Sequence, residues 1–400
     1  MEATALGRGT LAQLAEAARS VVRARSRVFW IVAGITAAAA TLRLATLGLQ
    51  SYHHDEIVTA SRVLRGSLWH AIEKVGSSES APPLYYLLAW LWTQILGTGE
   101  VGLRSLSAVA GIAVVPVAFL IGAELRGRRT GIVVAALVAV NPMLVWYSQE
   151  ARSYSLLVLL GSVALLFFLR ARRSGSTRDM ACWALASSLA IATHYFAGFP
   201  ALVEAAWLVA GHRSRARRPV AGVAAAAALL LPLALLQISQ ADHTDWIGKL
   251  GLAYRVGQSG VAFMVGETGD LIAEPVRPLL ALVPGLLVVA ALLLLALRGS
   301  RSERRSGGVV ASLAVVTLLF PLVLALAGKD FVIDRNLLPA LVPLLVVVAL
   351  GITASRAGRA GTVVGAALVA YSLGFTVWTN FDYSLQRPDW RAVAEKLGEP

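Results

Sequence analysis

The chain has 400 residues, 57% of them hydrophobic, with a mean hydropathy of +0.69. That is too apolar for an ordinary soluble domain and reads as an integral membrane protein. The formal net charge of +13 falls in short clusters between apolar runs rather than on one folded face, which argues against nucleic-acid binding, and a lone cysteine, Cys182, excludes an internal disulfide.

In chain order, a basic stretch over 1–27 comes first and reads as a cytoplasmic N-terminus. The apolar run 28–49 is too long and too late for a cleaved signal peptide, so it is a retained helix. Ten more runs follow, at 105–124, 131–145, 153–169, 180–195, 197–211, 219–238, 277–297, 309–328, 336–354 and 361–380. A further run, 83–97, is short and rich in Tyr and Trp, as interfacial segments are. If 83–97 crossed, every later basic cluster (126–129, 170–178, 213–218, 298–305, 356–359) would lie on the wrong side. Left uncrossed, all of them are cytoplasmic by the positive-inside rule. The sequence therefore predicts an all-α polytopic protein of about eleven spans over 28–380, N-terminus inside. A long first outer loop would occupy 50–104 and a short outer tail 381–400.

Polar clusters then gather outside. Asp55 and Glu56 lie in the first outer loop, and acids held at a membrane boundary are costly and often functional. The second outer loop holds Trp146-Tyr147-Ser148-Gln149-Glu150-Ala151-Arg152, the third His194-Tyr195, and a later one Asp334-Arg335-Asn336. No P-loop, Rossmann fingerprint, HExxH or CxxC pair is present.

Several of these pieces, in this order, carry a resemblance. Asp55-Glu56 is followed by Pro82-Pro83-Leu84-Tyr85-Tyr86, then Gly102-Leu103-Arg104-Ser105-Leu106. After Asn141-Pro142 comes the Gln149-Glu150-Ala151-Arg152 run, and near the end stands Arg335-Asn336-Leu337-Leu338-Pro339. Over 28–395 this resembles the GT-C membrane glycosyltransferases, in the branch of protein mannosyltransferases and aminoarabinose transferases. The resemblance implies transfer of a mannose- or pentose-like sugar, by a hexosyl- or pentosyltransferase, from a polyprenyl-phosphate donor. The acceptor would be a lipid, glycan or protein outside the cytoplasm, and the enzyme would sit in the plasma (inner) membrane. Two departures stand out. Relatives commonly carry a basic residue before the Pro-Pro, where this chain has Glu79-Ser80-Ala81. Relatives also often continue past Arg387-Pro388-Asp389-Trp390-Arg391 into a soluble domain.

Such chemistry needs a carboxylate beside the acceptor hydroxyl and cations around the departing phosphate. Asp55 is the expected base, with Glu56 orienting the acceptor or helping to hold a metal. Arg152 and Arg335 are expected at the phosphate, and Glu150 at the sugar. His54, His194, Tyr195 and Tyr85 are further substrate-binding candidates. The histidines also suit plain interfacial or helix-end roles, and Tyr85, Tyr86, Trp90 and Trp92 suit an aromatic belt or a groove for the polyprenyl chain. A hard divalent ion, Mg²⁺ or Mn²⁺, on Asp55 and Glu150 stays open. The rival readings are a transporter or lipid-linked-sugar flippase, which would place charged or broken-helix sites near the midplane, and a non-catalytic membrane scaffold.

Overall fold

The computed structural model describes residues 26–240, 246–267, 272, 276–385, 387 and 389–398; most of the basic stretch over 1–27 lies outside them. Every regular element among the described residues is helical, as expected where backbone polar groups in a bilayer must pair within their own segment. Among the described residues, eight helices are long and apolar enough to cross a membrane, or nine if the bent pair Arg128–Val140 and Pro142–Ser148 is one span.

The difference from eleven runs has a local origin. Thr177–Thr193 has only 17 residues, slightly short for a span. Runs 197–211 and 219–238 merge into a 42-residue helix, Gly198–Ser239, whose backbone leaves the helical region at His212. Unbroken, that helix would measure about 63 Å, some twice the hydrocarbon thickness. The break at His212 is where a second crossing would begin.

The described basic turns converge at one end of the bundle. Arg126 pairs with Glu303 at 2.6 Å, and Arg173 with Glu124 at 2.9 Å. His212 Nε2 lies 3.0 Å from the Arg172 carbonyl, and Arg356 Nε donates to the Arg298 carbonyl at 3.3 Å. The charge alternation that predicted one common side is thus matched by contacts between the turns. Helices Glu100–Arg126 and Arg128–Val140 form a hairpin there. Gly127 makes the turn at φ +89°, a conformation open to glycine. Gly122 and Gly131 let the two backbones touch, since a Cβ on Gly122 would stand 2.8 Å from the Gly131 Cα.

At the opposite end, Leu84–Leu96 has 13 residues, about 20 Å of helix and too short to cross. Tyr85 and Tyr86 are fully buried in a small core with Val63, Ala71, Val75 and Leu103. The aromatic-belt expectation therefore fails for these two, because their rings pack inward. Trp90 Nε1 donates to the Gly66 carbonyl and Trp92 Nε1 to Ser105 Oγ.

One buried charge within the spans explains itself. Pro142 has no N–H, so the Val138 carbonyl loses its helical donor where the chain bends by 59°. Arg43 supplies donors instead, to Val138 O at 3.2 Å, Ala139 O at 2.9 Å and Ser148 Oγ at 3.2 Å. The same break therefore locks the first span to the turn that carries Glu150 and Arg152.

Candidate active site

A cavity of about 1040 Å³ opens at the end of the bundle away from the basic turns. Asp55, on the short helix His54–Val58, stands at its edge. Arg335 Nη1 donates to Asp55 Oδ2 at 3.0 Å across 280 residues of sequence. Pro339 interrupts the local helical bonding of Asp334–Ala340, which is wound as a 3₁₀ helix. The Arg335 guanidinium also lies 5.4 Å over the Trp246 ring, a cation–π contact. Arg152, His54, His194 and Tyr195 line the same cavity.

Around Asp55 two effects compete. Burial raises its pKa, but the Arg152 and Arg335 guanidiniums, with His53 and a hydrogen bond from His54, outweigh burial and hold it at about 2. Asp55 is therefore ionised at neutral pH. Nearby, burial pushes His53 below its usual value.

Glu79, in the Glu79-Ser80-Ala81 segment ahead of Pro82, has a clear structural job. Glu79 Oε2 accepts from Arg152 Nη1 at 2.7 Å and from Tyr86 Oη at 2.7 Å, while Oε1 accepts from Thr59 Oγ1 at 3.2 Å. Glu79 thus fixes Arg152 from behind. Among the described residues, the buried Arg152 Nε has no hydrogen-bond acceptor, which leaves an unused donor on a residue that lines the cavity.

Three candidates lie elsewhere. Glu56 is fully buried and saturated. It accepts from Arg104 Nε at 2.8 Å and Nη2 at 2.7 Å, from the Ala151 N–H at 2.7 Å, and from the His53 N–H at 2.8 Å. Burial raises its pKa, yet these bonds and the Arg387 charge hold it below the usual range. A carboxylate so fully engaged has no lone pair left to orient an acceptor. Glu150 is sealed against Arg387 Nη2 at 2.6 Å and does not line the cavity. Tyr85 faces the small core described above. The far wall of the cavity is apolar, with Phe196, Phe199, Ala234, Ile238, Leu324 and Trp246.

Residues 80–236 match the dolichyl-phosphate-mannose-protein mannosyltransferase family. No curated protein matches the chain. Among solved structures, ArnT from Cupriavidus metallidurans bound to undecaprenyl phosphate aligns with a TM-score of 0.53 at 16% identity, over 80% of this chain and 60% of that one. The oligosaccharyltransferase AglB from Archaeoglobus fulgidus, in complex with an inhibitory peptide and a dolichol-phosphate, also gives 0.53, at 12% identity over 89% of this chain and 56% of that one. The chain shares its fold with ArnT and with AglB. The A. fulgidus oligosaccharyltransferase tethered to an acceptor peptide agrees, with a TM-score of 0.54 at 11% identity over 92% of this chain and 56% of that one. This chain spans less than two thirds of the length of these three structures.

The described residues contain no group of three or more His, Cys, Asp or Glu side chains arranged to hold a metal ion. Asp55 and Glu150, the pair left open to a divalent ion, do not share a site. Glu150 is turned away onto Arg387.

Sequence reading did not assign Arg387 a role, although its Arg-Pro-Asp-Trp-Arg segment was conspicuous. Arg387 packs 4.4 Å over the Trp146 ring and bonds Glu150. Beyond it, the Trp390 N–H donates to Ser51 Oγ and Arg391 Nη2 to the Leu49 carbonyl. The 389–398 segment therefore clasps the start of the 50–104 segment. Arg387→Ala is expected to release it, seen as faster amide exchange over 389–398. Exchange unchanged from wild type would show that the clasp does not depend on this side chain.

Proposed function

We propose that this chain transfers a sugar, a mannose-like hexose or a pentose, from a polyprenyl-phosphate donor to an acceptor hydroxyl on a lipid, glycan or protein. Residues 28–380 would form the catalytic membrane domain, with 50–104 as the outer loop that carries the base. Residues 1–27 would be cytoplasmic and 381–400 an outer tail, with the cavity open on the extracytoplasmic face of the plasma membrane. The observation that carries this reading is one cavity that brings the ionised Asp55 together with Arg152 and Arg335 and carries apolar lining residues. The match over 80–236 and the GT-C fold support the chemistry.

The groups divide the work by charge. The apolar wall takes the polyprenyl chain, and Arg335 and Arg152 take the phosphate, which guanidiniums grip with paired donors. The acceptor oxygen bonds to the anomeric carbon as the carbon–oxygen bond to phosphate breaks. Asp55 receives the acceptor proton, and the polyprenyl phosphate leaves with the bonding pair. Arg335 shifts from Asp55 toward the incoming phosphate, which relieves the charge that depresses Asp55 and makes it a stronger base. Glu56 acts as a positioning residue beneath Asp55.

Titrating polyprenyl phosphate onto the purified protein in lipid nanodiscs tests the phosphate site. Arg335→Ala is expected to weaken binding by about tenfold or more, with Arg335→Lys recovering part of it. Equal affinity in wild type and Arg335→Ala would remove the phosphate from this cavity.

A further inference from the structure

A second depression, of about 770 Å³, lies on the first outer loop. Its walls carry Arg62, Arg65, His70 and Lys74, with Ser61 and Ser78 between them, and no carboxylate. Arg62 and Ser78 also line the large cavity, so the groove is continuous with the place where Asp55 stands.

The groove is built rather than accidental. Gly66, at φ +84°, turns the chain between Thr59–Val63 and the helix Leu68–Ser78, which Ser67 Oγ caps by accepting the His70 N–H. His70 Nε2 bonds the Arg62 carbonyl at 3.1 Å, joining the two walls, and Trp90 Nε1 holds the Gly66 carbonyl at 3.0 Å. Arg62, Arg65 and Lys74 have no ion-pair partner among the described residues. With no carboxylate in the lining of the depression, its three cations favour an anion between them.

Helix geometry says where that anion comes from. Ser67, His70, Lys74 and Ser78 share one face. Ala71 and Val75 are buried, and Leu68, Trp69 and Ile72 are exposed on the far side. Gln237 and Gln240, at the end of Gly198–Ser239, bond the Val75 and Gly76 carbonyls, so the helix lies across a bundle end. An exposed Leu-Trp-Ile stripe belongs in the membrane interface. The basic face on the opposite side then looks into water.

We propose that the acceptor is an anionic glycan, whose phosphate or carboxylate groups lie along Arg62, Arg65, His70 and Lys74 while its hydroxyl reaches Asp55. This rests on the glycosyltransferase reading and names its acceptor class. The face from Ser67 to Ser78 runs about 16 Å, longer than one sugar ring, so an oligomeric anion fits better than a single phosphate.

The test uses the full chain in nanodiscs of neutral lipid, with fluorescent poly(glycerol phosphate) and hyaluronan oligomers as anionic probes and dextran as the neutral one. Wild type is expected to bind at least one anionic oligomer, more weakly as salt rises, and not dextran. Arg65→Gln with Lys74→Gln, both outside the large cavity, is expected to weaken that binding about tenfold. Polyprenyl-phosphate binding, measured on the same samples, is expected to stay as in wild type. Equal oligomer binding in variant and wild type, or equal binding of dextran, overturns the proposal. So does loss of oligomer binding when phosphatidylglycerol replaces the neutral lipid, which would assign the groove to lipid headgroups. Failure of polyprenyl-phosphate binding with oligomer binding intact would strike the donor reading instead.

Discussion

Asp55→Asn is expected to lower sugar transfer by two to four orders of magnitude, roughly the contribution of a positioned general base, while the protein folds and still binds polyprenyl phosphate. The substitution keeps the shape and removes the proton acceptor. It also removes the charge that Arg335 faces at 3.0 Å, so phosphate affinity should hold or rise rather than fall. Transfer by Asp55→Asn equal to wild type would sink the assignment of the base. The pH dependence gives an independent check. Burial raises the Asp55 pKa, but Arg152 and Arg335 bring it to about 2 in the free protein. The ionised form is the active one, so kcat/KM should show no acid limb from Asp55 at pH 4 and above. In Arg335→Ala one of the lowering charges is gone while burial remains. Its acid limb should therefore move upward, toward the ordinary carboxylate range near about 4. A limb that stays put would mean that Arg335 does not control this carboxylate.

Much of this was legible because membranes impose simple rules. Span-length apolar runs and charged turns gave the helical class, and the convergence of Arg126, Arg173, His212 and Arg356 at one end follows the charge pattern directly. The joining of Asp55 to Arg335 across 280 residues was readable only as two polar clusters on a shared side. What sequence could not rank was adjacent acids. Asp55 and Glu56 are neighbours on one turn, so their side chains point in different directions. One enters the cavity and the other meets Arg104, and no local signal separates them. Glu150 and Arg387 show the same limit, since a buried pair 237 residues apart leaves no periodic trace. Glu79 was visible as a departure from the resembled pattern. Its meaning, a brace behind Arg152, needed Tyr86 and Thr59 in place around it.

Arg104 carries the largest expected effect on stability. It is 1% exposed and faces Glu56 at 0%, and it spends its donors fully. Nε and Nη2 hold both Glu56 oxygens, Nη1 holds the Leu47 and Gln50 carbonyls, and Nη2 also holds the Ser51 carbonyl. One side chain thus ties the segment from Leu47 to Glu56 to the helix Glu100–Arg126. Arg104→Met leaves Glu56 charged and buried, and losing one partner of such a pair costs about 3–5 kcal/mol. Arg104→Lys should fare little better, because a point charge cannot reproduce the planar fork that reaches four acceptor residues. The pair itself is a different matter. Two buried charges lose much hydration energy, so removing both costs less than the single changes suggest. Combining Arg104→Met with Glu56→Leu should therefore destabilise by less than the two single variants summed, by about 1–3 kcal/mol. The double variant still leaves the Ala151 and His53 N–H groups and three loop carbonyls without partners, so it will not return to wild type. Thermal unfolding of the four proteins in one detergent measures the cycle. Strict additivity would mean that Arg104 supports the loop through its carbonyl bonds alone, and that the buried carboxylate beside Asp55 is held in place by its backbone donors.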